Sequence, residues 1–262
     1  MIPSIQFLSM KGRQAIISGA AFGIGKAMAL RFAEAGADLV LVDLDHEGLQ
    51  RVQSDLGQYQ VNVKFSRVDL RDKDQIDALW DGLDPLPDIL INNAGIYPMK
   101  DYLKVSPAFL ANIMALNLES VFWMGQHFIA KRLKLGGTIV NLASIEAILP
   151  FKADLAAYSM SKAGVIGLTR ALARDYGRFK FRINGILPGA IRTPGTTRLI
   201  KQALRGVRLD LLQTGYDFQR RLALNRWGMP DEVARVALFL SSDLASYVQG
   251  AIIPVDGGFL SS

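Results

Sequence analysis

The stretch Gln14-Ala15-Ile16-Ile17-Ser18-Gly19-Ala20-Ala21-Phe22-Gly23-Ile24-Gly25-Lys26 decides the fold. A short apolar run ends in serine, three glycines follow in GxxxGxG spacing, and helical composition runs from Lys26 to Ala35 before Gly36 stops it. Glycine lets the backbone turn sharply and approach a ligand closely. A helix that starts behind such a turn offers unpaired N–H groups and the positive end of its dipole, which together suit a pyrophosphate. Glycine spacing alone is a weak signal. Its place between a first strand and a first helix strengthens it.

Outward from this stretch, apolar runs of strand length recur at Asp38–Asp43, Val63–Val68, Ile89–Ile91, Thr138–Leu142, Arg182–Leu187 and Ala251–Val255. Helical patterns separate them at Glu47–Leu56, Lys73–Trp80, Pro107–Arg132, Ala157–Tyr176 and Asp231–Ser241. Continuous apolar strands alternating with helices mean an α/β protein whose parallel sheet is covered on both faces. Right-handed crossovers make it a doubly wound, three-layer α/β/α sheet. No linker, repeat or low-complexity segment interrupts the pattern, so 1–262 reads as one nucleotide-binding domain. Thr193–Leu224 lacks strand punctuation and reads as a substrate-binding lid within it.

Composition narrows the chemistry. Cysteine is absent, which excludes a disulfide framework, a thiolate nucleophile and Cys-ligated zinc. His46 and His127 are the only histidines, so no metal site is expected. The first ten residues lack signal-peptide features, and no unbroken apolar stretch reaches the roughly 20 residues of a membrane span. We therefore expect a cytoplasmic protein without a membrane partner. The net charge of +6 is concentrated between Arg192 and Arg226. No aromatic stacking pattern accompanies it, so a solvated helix face is favoured over nucleic-acid binding.

Asp43 ends the second strand, 24 residues after Gly19. An acid there accepts hydrogen bonds from the adenosine ribose and repels a 2′-phosphate. Ala21 and Leu44 supply no base for such a phosphate, so NAD(H) is expected over NADP(H). Asp69, followed by Leu70, is placed to meet the adenine edge. Asn92-Asn93-Ala94-Gly95 ends the fourth strand with small residues that permit close backbone approach.

Ser144 follows the fifth strand. Tyr158 and Lys162 stand at i, i+4 in the next helical pattern and share one face. Tyrosine is too weak a base at neutral pH unless its phenolate is favoured, and a nearby ammonium does that. The expected result is a group able to take an alcohol proton.

Together these residues resemble a short-chain dehydrogenase/reductase of the common ~250-residue type. The likeness spans about Gly12 to Phe259. It rests on Ser18-Gly19-x-x-x-Gly23-Ile24-Gly25, Asp69, Asn92-Asn93-Ala94-Gly95, Asn117, Ser144, Tyr158-x-x-x-Lys162, Pro188-Gly189-x-Ile191-x-Thr193 and Val255-Asp256-Gly257-Gly258. The resemblance implies a Rossmann-like fold and makes Tyr158 the acid/base. It makes Lys162 the residue that binds the nicotinamide ribose and tunes Tyr158, Ser144 the orienter of the substrate oxygen, and Asn117 the holder of a relay water. It places Gly19, Phe22, Gly23, Ile24, Gly25, Asp43, Leu44, Asp69, Leu70, Asn93, Ala94, Gly95, Pro188, Gly189, Ile191 and Thr193 against the cofactor. It also implies a homotetramer, with a homodimer as the alternative. The helices bearing Asn117 and Tyr158 form one interface, and the 226–234 stretch with the last strand forms another. Ser18 stands where the family usually has Thr, with the hydroxyl retained.

The expected reaction is interconversion of a secondary alcohol and a ketone on a small molecule such as a sugar, polyol or hydroxy acid. Glu146 and Tyr97 are the candidate substrate contacts. The rivals are an NADPH-dependent 3-oxoacyl thioester reductase, which Asp43 opposes, and a nucleotide-binding regulator without turnover, which the intact Ser144, Tyr158 and Lys162 oppose.

Overall fold

The computed structural model describes residues 4–197 and 219–262. Seven strands, β1 (Gln14–Ser18), β2 (Asp38–Asp43), β3 (Val63–Arg67), β4 (Ile89–Asn92), β5 (Gly137–Leu142), β6 (Phe181–Pro188) and β7 (Ile252–Val255), form one parallel sheet ordered β3-β2-β1-β4-β5-β6-β7. The strand order reverses between β1 and β4, and ligands of doubly wound sheets bind in the crevice outside the carboxyl ends at such a switch point. The register sets Ile17 beside Ile91 and Asn92 beside Asn141, so the loops that leave β1, β4 and β5 share that edge.

The main helices are α1 (Gly23–Glu34), α2 (His46–Leu56), α3 (Lys73–Asp81), α4 (Pro107–Met114), α5 (Ser120–Arg132), α6 (Ala156–Tyr176) and α7 (Pro230–Ser241). Alternate strand residues feed opposite faces. Ile17, Leu39 and Leu41 pack with Met28 and Phe32 of α1 and with Val233, Ala237 and Leu240 of α7. Ile16, Val40 and Leu90 pack on the other side with Ile76, Trp80, Met124 and Phe128. Burying a side chain such as Phe32 or Phe128 contributes about 2–3 kcal/mol.

Observed element boundaries lie within three residues of the expected ones, with one exception. The expected helix Pro107–Arg132 is broken by a π-helical turn at Ala115–Glu119. An 18-residue window of this 26-residue stretch has a mean hydropathy of 1.2, enough by length and composition alone to cross a membrane, which corrects the expectation that no apolar stretch reaches that length. Asn112, Asn117, Glu119 and Ser120 break every consecutive apolar run, so counting unbroken runs misses it. Here α5 packs on β4 and β5, and α4 packs on α6. The expected lid lies largely outside the described residues. Of it, 194–197 is helical and Leu222 is buried among Ile145, Val165, Leu187 and Phe259.

Candidate active site

The glycine turn is held from behind by side chains. Gly19 and Gly23 take left-handed φ values of +65° and +59°. A Cβ on Gly19 would stand 2.8 Å from the Ala94 Cα. The Asn93 amide donates to the carbonyls of Ser18 (2.9 Å) and Gly19 (3.0 Å). The Ser18 hydroxyl accepts from the N–H groups of Asn93 (3.0 Å) and Ala94 (3.1 Å). The loop contact expected of a hydroxyl at Ser18 is present.

The start of α1 is left open. Asp45 and Asp72 cap α2 and α3 with side-chain hydrogen bonds, whereas α1 begins at Phe22 with no side-chain cap and no acid in its first turn. Its N–H groups and dipole end are uncompensated, which fits a dinucleotide pyrophosphate. The Thr193 methyl lies 3.4 Å from where a Gly23 side chain would begin, so the chain after β6 closes over the same spot.

Asp43 is fixed at the β2 end. One carboxylate oxygen accepts from Ala21 N (2.9 Å) and the other from Asp45 N (3.0 Å). Exposed Phe22 and Leu44 flank it. Three of the expected cofactor residues are engaged within the chain itself. Arg71 grips the Asp69 carboxylate (Nη2 at 2.6 Å) and holds it below the usual range. Leu70 and Ile191 turn their side chains into the core, which leaves only backbone for a ligand. Gly189 is small for a structural reason as well, since a Cβ there would stand 2.7 Å from the Asp256 Cα.

At the chemical end, Ser144 caps the short turn after β5 and accepts from Glu146 N at 3.2 Å. Tyr158 projects from α6, and Ser144 lies near enough to its hydroxyl to favour the ionised form. Lys162 is 4% exposed and donates to the Leu142 carbonyl at 2.8 Å. The shared helix face is observed, but the expected effect of the ammonium on the phenol is not. Burial pushes the Tyr158 hydroxyl up to about 12, Ser144 lowers it, and Glu146 and Tyr97 raise it further. Lys162 is engaged at the end of β5 and is itself lowered by burial to about 8.

Asn117, fully buried in the π-turn, clips the loop after β4. It accepts from Ile96 N (2.9 Å), donates to Ile96 O (2.8 Å) and donates to Ser161 Oγ (3.2 Å). Gly95 is thereby held against Asn117 and Lys162, and a Cβ there would lie 3.3 Å from each.

Glu146 is 3% exposed. Its Oε2 accepts from Phe151 N at 3.4 Å, while Oε1 is buried without a hydrogen-bond partner, as is the Tyr97 hydroxyl. Burial raises Glu146 from 4.5 to about 7. Below 4.5 the acid is neutral whether the chain is folded or unfolded, and nothing is lost. As pH rises toward 7 the folded chain must carry a charge that the unfolded chain solvates better, so stability falls across that window. Glu146→Gln is expected to raise the unfolding free energy by on the order of 2 kcal/mol above neutral pH and not at acid pH. Denaturant titrations at both pH values check it.

One role and one residue escaped the sequence reading. Asn93, expected against the cofactor, also locks the glycine turn through its side chain. Ser161 donates to the Tyr158 carbonyl (2.7 Å) and receives Asn117, tying the two helices together at the site. The available signal for Ser161 was its place three residues after Tyr158 and next to Lys162.

The chain is similar to known proteins in sequence and fold. The family described as enoyl-(acyl carrier protein) reductase matches residues 19–260. The 2-dehydro-3-deoxy-D-gluconate 5-dehydrogenase of Escherichia coli is 34% identical, with 97% of each chain covered. The 3-oxoacyl-(acyl-carrier-protein) reductase of Thermotoga maritima is also 34% identical, covering 97% of this chain and 100% of its own. A solved structure from Agrobacterium tumefaciens with bound NADP is 32% identical with a TM-score of 0.84, covering 97% of this chain and 99% of that one. The chain belongs to the short-chain dehydrogenase/reductase family. It is an oxidoreductase of CH–OH groups, interconverting a secondary alcohol and a ketone with a nicotinamide dinucleotide.

Proposed function

We propose that Tyr158 is the acid/base of this reaction, that Ser144 orients the substrate oxygen, and that the dinucleotide is NAD(H). The observation that carries the reading is the placing of Ser144 beside the buried Tyr158 hydroxyl, whose ionisation it favours, at the carboxyl edge of the sheet. A bound dinucleotide supplies or accepts the hydride. In ketone reduction Tyr158 donates its phenolic proton to the new alkoxide oxygen. In oxidation the phenolate takes the alcohol proton, so the oxidation rate climbs with pH. Lys162 and Gly95 would face the nicotinamide ribose, the α1 N-terminus and Thr193 the pyrophosphate, and Asp43 the adenosine ribose. Asn117 acts as a positioning residue through Ile96.

The substrate is a small polyhydroxylated molecule or hydroxy acid. The sugar-acid name of the Escherichia relative and the buried Glu146 beside Tyr158 support this. A panel of sugars, polyols, steroids and hydroxy acids with NAD at alkaline pH should give NADH absorbance with members of that class, and silence across the panel would reject the reading. The 3-oxoacyl thioester reading has the Thermotoga relative on its side and Asp43 against it.

Asp43 also sets a cofactor prediction, made against a neighbour that holds NADP. A fixed carboxylate facing a 2′-phosphate repels it. NADH is expected to bind more tightly than NADPH, and Asp43→Asn should improve NADPH affinity by at least about tenfold. Fluorescence titration decides, and equal wild-type affinities would contradict it.

Assembly as a homotetramer is part of the same proposal, supported by exposed Phe122 on α5, Met160 on α6, and Leu244 and Tyr247 after α7. Val165 on α6 is fully buried in the core of this chain and offers no surface to a partner. Light scattering measures the assembly. A cytoplasmic location is supported by the cysteine-free sequence, which suits a reducing compartment.

A further inference from the structure

Two polar atoms beside Tyr158 are buried and bond to nothing among the described residues, the Tyr97 hydroxyl and Glu146 Oε1. They come from different elements, the loop after β4 and the turn after β5. Both groups act electrostatically on the Tyr158 hydroxyl. The Tyr97 ring meets the Tyr158 ring edge-on, with centroids 6.1 Å apart. Buried polar groups in folded proteins are almost always hydrogen-bonded. Two unmatched ones at the same place, next to the reacting hydroxyls, describe a site that its ligand completes.

Ser144 and Tyr158 serve the reacting oxygen, so the orphan pair is left for a second one. A phenol and a carboxyl can each bond one alcohol hydroxyl, because that hydroxyl both donates and accepts. Burial holds Glu146 up to about 7, so near neutral pH a sizeable share of it is the acid form that can donate as well as accept. A substrate carboxylate would fit less well, since it offers acceptors alone to a group that is an acceptor once ionised. The Tyr97 ring stands against the Tyr158 ring, and Glu146 follows Ser144 by two residues with its N–H on the Ser144 hydroxyl. Both orphans therefore belong to the immediate surroundings of the reacting hydroxyls, which suits an oxygen on the carbon adjoining the reacting one.

Resting on the roles proposed for Ser144 and Tyr158, we propose that Tyr97 and Glu146 form a subsite for the neighbouring hydroxyl, so that the enzyme prefers vicinal diols to simple secondary alcohols.

The test compares 2,3-butanediol with 2-butanol, NAD being the oxidant, in the wild type and in Tyr97→Phe, Glu146→Leu and Glu146→Gln. The wild type is expected to favour the diol in kcat/KM by about a hundredfold, and Tyr97→Phe and Glu146→Leu each to cut that ratio about tenfold. Glu146→Gln, which can still donate and accept from the same place, retains more of the preference than Glu146→Leu. Tyr97→Phe removes an oxygen that has no hydrogen-bond partner among the described residues, so its melting temperature should stay at the wild-type value. A purely structural role for Tyr97 would move the melt and not the ratio. Equal use of the two alcohols by the wild type, or ratios unchanged in Tyr97→Phe and Glu146→Leu, overturns the subsite and leaves the oxidoreductase reading intact. If neither alcohol is turned over, calorimetric titration of both into the NADH-loaded enzyme decides, and equal affinities overturn the subsite.

Discussion

Tyr158→Phe is expected to lower kcat for alcohol oxidation by about a thousandfold, with the chain still folded. The substitution removes one oxygen atom and leaves the ring in its edge-on contact with Tyr97. Its structural cost is at most the polar contact with Ser144, about 1 kcal/mol. The chemical cost is far larger, because no other described group beside Ser144 can replace the phenol. Glu146 is the nearest rival for the proton, yet it is tethered to Phe151. Rates with the best substrate of the panel, alongside a circular-dichroism melt, separate the two costs. Full activity in the variant would overturn the assignment of Tyr158. The pH profile of the wild type adds a second readout. A phenol held up to about 12 starts as the acid, so ketone reduction should persist through neutral pH while oxidation keeps rising into the alkaline range.

The second large effect is expected at Gly25. In an ordinary helix interior, Gly→Ala stabilises by about 1 kcal/mol. Here a Cβ would overlap the Gly19 carbonyl oxygen and stand 2.6 Å from the Asn93 amide nitrogen. That carbonyl and that amide are already bonded to each other, so neither can give way without breaking the lock on the turn. Overpacking of this kind costs roughly 1–3 kcal/mol, which outweighs the helix gain. The backbone that moves is the pyrophosphate cradle itself. Gly25→Ala should therefore lose dinucleotide affinity by about a hundredfold or more, read by NADH fluorescence titration, while the far-UV spectrum still shows the α/β fold. Unchanged affinity would remove Gly25 from the proposed cofactor site.

Much of this site was legible in the residues alone. The glycine turn, Asp43 at the β2 end, and the Tyr158–Lys162 spacing are local patterns whose meaning follows from a few neighbouring positions. Alternating apolar runs and helices were enough for the parallel sheet, because burial on both faces demands continuous apolar strands. Spacing predicted that Tyr158 and Lys162 share a face, and they do. It could not say that the lysine spends its ammonium on Leu142 O, because that carbonyl is 20 residues away along the chain and on another element. The same limit hid the grip of Arg71 on Asp69, since a charged side chain chooses its partner by direction and not by type. Asn117 inside a helical pattern looked like a relay residue or a kink. Only the π-turn shows that its amide closes on the backbone of Ile96, 21 residues earlier.

The sequence determined the fold class, the reaction type and the groups able to carry it, because strand burial, glycine turns and i, i+4 helix faces are short-range consequences of residue order. Tertiary structure decided which hydrogen bonds those groups make and which they leave unmade. Lys162 acquires a carbonyl, Asp69 acquires an arginine, and Tyr97 and Glu146 keep one unpaired atom each beside Tyr158. Such pairings depend on burial and on the aim of side chains brought together from distant segments.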